Sequence, residues 1–183
     1  MANDILVVDV ESTCWQDKTP PPGEVSEIIE IGALMLEAGK TLDILVRPQF
    51  SRVSPFCAGL TGITQEDVDK GILLAEACER LKVEMSSDKV ALWASYGDYD
   101  RNQFDRNCRL YHIPSPFVGS HLNIKALVAS AMGWRKEVGM ARALSILGLE
   151  LEGRHHRAGD DARNITRMFS SLIKAGKYKC QES

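Results

Sequence analysis

Two carboxylates, Asp9 and Glu11, interrupt a run that otherwise reads as a buried strand, Ile5-Leu6-Val7-Val8-Asp9-Val10. Alternation along a strand turns both to the same side. Like charges placed side by side repel, and burying an ionised carboxylate without compensation is costly. A divalent cation held by oxygen ligands relieves both problems, and it directs attention to carboxylates further along the chain. The plainer alternative is that Asp9 ends the strand and Glu11 lies in solvent.

Helical phase selects two more acidic groups. Asp100 shares a face with Phe104, Cys108 and Tyr111, whereas Asp98 lines up with Asn102, Asp105 and Arg109 on a polar stripe. Asp98 is therefore read as the N-cap and Asp100 as an inward carboxylate. By the same test Asp161 shares a stripe with Ile165, Met168, Phe169 and Leu172, while Asp160 runs with Asn164, Arg167 and Ser171. Either aspartate alone could simply stabilise a helix N-terminus through the macrodipole. In the turn before the last helix stand His155 and His156, and beside metal-holding carboxylates one of them could accept a proton, with an ordinary pKa near about 6.5. Spacing alone does not choose between these neighbours.

To gather these groups the chain must build a sheet with helices around it. Residues 28–36 and 41–46 are apolar runs joined by a hairpin turn at Gly39. Gln16 to Gly23 is a polar, proline-rich loop leaving the carboxylate pair, either a surface connection or a partial lid. Pro48 and Pro55 bound a loop, and Thr64 with Asp67 forms an imperfect capping box ahead of a short helix at 65–69. Residues 73–85 are helical by period, with Leu74, Cys78, Leu81 and Met85 on one face. A strand at 89–94 then suggests a parallel crossover. A helix from Asp98 to Tyr111 follows, and the prolines in 113–118 allow a loop and a short edge strand. Helices at 123–131, 139–147 and 159–175 complete the chain, with Gly148 placed to end the second. The class is α/β, a mixed five-stranded sheet flanked by helices. The chain, 1–183, reads as one domain with a core of 4–175, and the residues from Lys177 onward read as loose.

Lys and Arg total 22 against 25 Asp and Glu, a formal charge of -3, which argues against coating duplex nucleic acid by charge alone. It leaves room for an enzyme that grips a few nucleotides with the help of bound cations. Five widely spaced cysteines without a CxxC pair read as reduced, mostly buried thiols of a cytoplasmic protein. No signal peptide and no membrane span are expected.

Taken together, Asp9-x-Glu11, Asp100 and His156-x-Ala158-x-x-Asp161, in this order, resemble the three motifs of the DEDDh (DnaQ-like) 3′-to-5′ exonucleases, a family of RNase H-like fold. Several further stretches resemble its Eri-type branch, the enhancer-of-RNAi and 3′ histone mRNA exonucleases. They are Asp9-Val-Glu-Ser-Thr-Cys-Trp15, Glu27-Ile-Ile-Glu-Ile-Gly32, Phe56-Cys57, Leu60-Thr-Gly-Ile-Thr-Gln65, Gly97-Asp-Tyr-Asp100, His121-Leu-Asn-Ile-Lys125 and Gly153-Arg154-x-His156. The resemblance implies that Asp9, Glu11, Asp100 and Asp161 hold two divalent cations, Mg²⁺ or Mn²⁺, and that His156 is the general base. It implies that Ser12 and Thr13 hold the terminal nucleotide through backbone groups, with Phe56 and Tyr99 stacking on its base. It implies hydrolysis of single-stranded RNA, with DNA as an alternative, from the 3′ end to nucleoside 5′-monophosphates, by a monomer or homodimer. Two rivals stand beside this: a proofreading-type DNA exonuclease subunit, and a catalytically silent module that binds RNA or protein through the same cleft.

Overall fold

The computed structural model describes residues 4–177. Five strands form one sheet: β1 (Ile5–Ser12), β2 (Ile28–Met35), β3 (Thr41–Leu45), β4 (Leu92–Ser95) and β5 (Ser120–Asn123). They lie in the order β3-β2-β1-β4-β5. The β1–β2 and β2–β3 pairs are antiparallel, while β4 runs parallel to β1 and β5 parallel to β4. The expected mixed five-stranded sheet is therefore present, and the carboxylate-bearing strand is its centre.

Seven helices cover it: α1 (Pro55–Thr61), α2 (Gln65–Asp69), α3 (Leu74–Met85), α4 (Tyr99–Leu110), α5 (Ile124–Ala131), α6 (Met140–Ile146) and α7 (Ala158–Lys174). On one face Leu74, Cys78, Leu81 and Met85 of α3 pack with Phe104 and Cys108 of α4 against Leu6, Val8 and Val10 of β1. On the other, Ile165, Met168, Phe169 and Leu172 of α7 pack with Ile124 and Val128 of α5 against Ile5 and Val7. The two stripes read from helical period are thus the ones buried.

The departures have local causes. The fifth strand is Ser120–Asn123 rather than a piece of 113–118, because Pro114 and Pro116 offer no N–H to a ladder. Pairing resumes after Gly119, where a Cβ would lie 2.4 Å from the Val90 carbonyl oxygen, and Ser120 N–H reaches Ala91 O at 2.9 Å. The segment from Pro55, given no element in the sequence, is α1: Pro55 sits in its first turn and Ser54 Oγ accepts from Cys57 N–H at 3.0 Å. Strand β1 runs on to Ser12, and β4 begins at Leu92 rather than Lys89. Asp98 occupies the N-cap position of α4 without a side-chain capping bond, and pairs instead with Arg101 at 3.2 Å. The Thr64–Asp67 capping box is complete in both directions. Cys180 and the stretch beyond Lys177 lie outside the described residues. Among the described residues Cys14, Cys57, Cys78 and Cys108 are free thiols, and no helix is long and apolar enough to cross a membrane.

Candidate active site

Register explains why acidic groups from three elements meet. Asp9 lies opposite Gly32 and Glu11 opposite Glu30 on β2. Gly32 leaves space that the first turn of α7 fills: a Cβ there would sit 2.2 Å from the Ala158 carbonyl carbon and oxygen. The N-terminus of α7 therefore rests directly on the sheet beside Asp9. Glu30, buried in an otherwise apolar strand, fixes it there. Its carboxylate accepts from Ala158 N–H at 2.8 Å and pairs with Arg157 Nη2 at 2.7 Å. Asp161, one turn further along, is thereby aimed at β1.

Carboxylate oxygens of Asp9, Glu11 and Asp161 lie within 4.8 Å of one another. Asp100, buried at the start of α4, accepts from Val10 N–H at 2.9 Å and lines the same cavity as Asp9 and Glu11. That cavity has a volume of about 330 Å³, and His155, His156, Tyr96, Tyr99 and Lys125 are also on its wall. Asp161 is engaged by one of these, His155, whose Nδ1 lies 2.9 Å from Asp161 Oδ2. His156 adopts a left-handed backbone conformation, φ 65°, and its N–H donates to Asp161 at 3.0 Å. Its ring stacks on that of His155 and brings Nδ1 to 3.8 Å from Glu11 Oε1.

The electrostatics are those of an anion cluster that lacks its counter-charge. Burial, then the charges of Asp100, Glu11, Asp161 and Glu30, hold the Asp9 pKa well above the usual carboxylate range. Burial, with Asp161, Glu30 and Asp100, pushes Glu11 up to about 8. Asp100 rises to about 6 through burial, opposed by its bond from Val10 N–H. Asp161 is also raised by burial, against the pull of His155. His156 moves the other way, lowered by burial, His155 and Arg154, which keeps its imidazole neutral and able to take a proton. Three carboxylates with oxygens this close, beside a fourth on the same cavity, resist joint ionisation and fit a hard divalent cation in both chemistry and charge.

A second cavity, of about 700 Å³, adjoins the first across Cys14, Leu60 and Tyr99. Phe56 and Tyr99, 42% and 50% exposed, are on its wall with Trp15, Lys18 and Pro20. The proline-rich loop thus borders this cavity rather than the carboxylates. Thr13 is committed to the fold: its N–H donates to Glu27 O at 2.8 Å and its hydroxyl accepts from Glu27 N–H at 3.0 Å. Ser12 Oγ differs. It is buried near the Tyr99 hydroxyl, yet no contact of hydrogen-bond geometry satisfies it.

Glu30 and Lys125, which stand in stretches of family resemblance, and His155 as a partner of Asp161 have no role assigned by sequence pattern. For Glu30 a signal was present, since a carboxylate between Ile29 and Ile31 is the same anomaly that drew attention to Asp9.

Comparison with known proteins identifies the family. The family model described as Exonuclease matches residues 6–169. The chain is 29% identical over 180 residues to the "Probable 3′-5′ exonuclease KapD" of Bacillus subtilis (strain 168), covering 96% of this chain and 87% of that protein. It is 29% identical over 186 residues to mouse 3′-5′ exoribonuclease 1, where it covers 94% of this chain and 53% of the relative, about half its length. Among solved structures it is similar to the nuclease domain of 3′hExo, a DEDDh family member, bound to rAMP. The TM-score is 0.81 at 25% identity, with 100% of this chain and 98% of that one covered.

Proposed function

The chain belongs to the exonuclease family and is a 3′-to-5′ exonuclease of the DEDDh type, and from that premise we propose that it removes nucleotides from the 3′ end of single-stranded RNA as nucleoside 5′-monophosphates. The observation that carries this reading is the convergence of Asp9, Glu11 and Asp161 within 4.8 Å beside buried Asp100. These four would hold two divalent cations, Mg²⁺ or Mn²⁺. Bound there, such ions supply Lewis acidity, lowering the pKa of water and offsetting charge on the phosphate and the leaving oxygen.

The chain's own residues do the rest. His156, kept neutral by its surroundings, takes the proton of the attacking water, a role worth about 10² to 10⁴ in rate. Glu30 and Arg157 hold the turn that presents His156 and Asp161. Ser12 lines the catalytic cavity beside the Tyr99 hydroxyl, in place to meet the terminal nucleotide. The Ser12 and Thr13 segment lies under the terminal nucleotide, with the Thr13 amide already engaged. Phe56 and Tyr99 offer an exposed aromatic wall on which an unpaired base can stack. RNA as substrate is supported by the exoribonuclease among the relatives and by the structure of a similar domain bound to rAMP.

The test is a time course on 5′-labelled RNA and DNA strands of one sequence, in Mg²⁺, Mn²⁺ and EDTA. RNA shortening from its 3′ end faster than DNA, and arrest by EDTA, is the expected result. Equal or faster loss from DNA would overturn the RNA preference, and cleavage in EDTA would overturn the metal requirement.

A further inference from the structure

Among the described residues on the wall of the catalytic cavity, Lys125 is the one permanently cationic side chain. It follows β5 directly as the second residue of α5, and Asn123 caps that helix by accepting from Ala126 N–H at 3.0 Å. Its aliphatic stem runs over Gly97, in the turn that leads from β4 to Asp100: a Cβ at Gly97 would lie 3.7 Å from Lys125 Cδ. The Lys125 side chain is about one-third exposed, and its ion-pair partner is Glu137 at 3.7 Å, too long for a hydrogen bond.

Glu137 belongs to the exposed segment between α5 and α6, which also carries Arg135 and Lys136. The segment is tied to the cavity wall where the Tyr96 hydroxyl donates to Val138 O at 2.9 Å. It meets the cavity at Gly139 and Met140.

Strand order places these features on opposite sides of the acidic centre. The aromatic cavity of Phe56, Leu60 and Tyr99 adjoins α1, and α1 packs through Cys57 on Ile29 of β2. Lys125 stands beyond β4, at the end of β5. Asp9 and Glu11 on β1 lie between.

We propose that Lys125 binds the first phosphate on the 5′ side of the bond that is cut, with Arg135 and Lys136 continuing the basic path. This rests on the exonuclease reading above and adds the direction of the strand. The 3′-terminal nucleoside occupies the aromatic cavity, the scissile phosphate meets the carboxylates, and the upstream backbone crosses β4 toward β5. A flexible ammonium holding a point charge suits a backbone phosphate and carries no base preference. Glu137 occupies Lys125 in the free protein and gives it up to the phosphate.

Substrate length separates this role from others. A dinucleotide with a free 5′-hydroxyl contains only the scissile phosphate, whereas a trinucleotide adds the upstream one. In the wild-type protein kcat/KM should be higher for the trinucleotide. In Lys125→Ala the trinucleotide-to-dinucleotide ratio should fall by about tenfold, the loss residing in KM, and Lys125→Arg should restore it. On a tetranucleotide the slope of log KM against log salt should drop by about 0.7 in Lys125→Ala, one phosphate contact on a single strand. Glu137→Gln, at an exposed site, should raise the ratio.

Equal losses on both lengths, or a loss confined to kcat, would overturn the proposal by placing Lys125 at the scissile phosphate or in the support of the fold. A fall of the ratio in Glu137→Gln would also overturn it. If the wild-type protein releases nucleotide from neither substrate nor from a longer labelled RNA strand, the exonuclease reading itself fails. If it hydrolyses both with a ratio indifferent to Lys125, only this proposal does.

Discussion

His155 Nδ1 lies 2.9 Å from Asp161 Oδ2, on a carboxylate that also faces those of Asp9 and Glu11 within 4.8 Å. A cation held by Asp161 therefore competes with His155 for that carboxylate. Replacing His155 with Asn removes most of that competition and leaves a residue that tolerates the turn. The Mn²⁺ concentration giving half-maximal activity should fall by about fivefold, the worth of one such hydrogen bond, with kcat retained. Titration of activity against Mn²⁺ checks this, and an increase in the required concentration would make His155 a ligand instead of a competitor.

The neighbouring histidine should behave in the opposite way. His156 holds a left-handed backbone, which Asn adopts at little cost, so His156→Asn removes the imidazole without straining the turn. Its kcat should drop by about 10² to 10⁴, while Mn²⁺ still raises the melting temperature as in the wild-type protein. Full turnover in this variant would remove His156 from the reaction.

The raised carboxylates make stability depend on pH in the metal-free protein. Glu11 rises from an ordinary 4.5 to about 8 in the folded chain, and Asp100 to about 6. Between those values the folded chain holds protons that the unfolded chain has released, so stability is greatest in acid and declines as pH rises through the folded values. Melting curves in EDTA should fall in midpoint from about pH 5 to about pH 8. Saturating Mn²⁺ should restore the midpoint at the upper end and change it little at the lower. A flat EDTA profile would mean that the cluster ionises freely without a cation.

Gly32 tests the link between sheet and site. A methyl at this position meets the Ala158 backbone at 2.2 Å, and neither partner can move without shifting α7. Gly32→Ala should cost about 3 kcal/mol, visible as a lower melting temperature at roughly 2–4 °C per kcal/mol, and should abolish activity in the fraction that remains folded. Wild-type activity would show that Asp161 does not depend on this contact.

Much of this arrangement was legible because burial and charge conflict openly in the sequence. An aspartate inside a β-branched run, and aspartates in phase with apolar helical stripes, mark Asp9, Asp100 and Asp161 without any structure. Likewise α3 and α7 show their buried faces by period. What escaped depends on contacts between distant segments. The pairing of Glu11 with Glu30, and the fit of Gly32 against Ala158, are set by register, which no local pattern encodes. Helix α1 was hidden because its seven residues include Pro55 and Gly59, and its cap, Ser54, precedes a proline. The position of β5 depended on Gly119 passing close to Val90, a contact 29 residues apart in the chain.

The central claim is that the carboxylates on β1 drive removal of nucleotides from a 3′ end. It is tested most directly by incubating 5′-labelled single-stranded RNA with wild-type protein and with Asp9→Ala in Mn²⁺, and identifying the released product by mass. The wild-type protein should give a ladder that shortens from the 3′ end with release of nucleoside 5′-monophosphates, and Asp9→Ala should leave the strand intact. Shortening by the variant at the wild-type rate, or release of 3′-monophosphates, would contradict that claim.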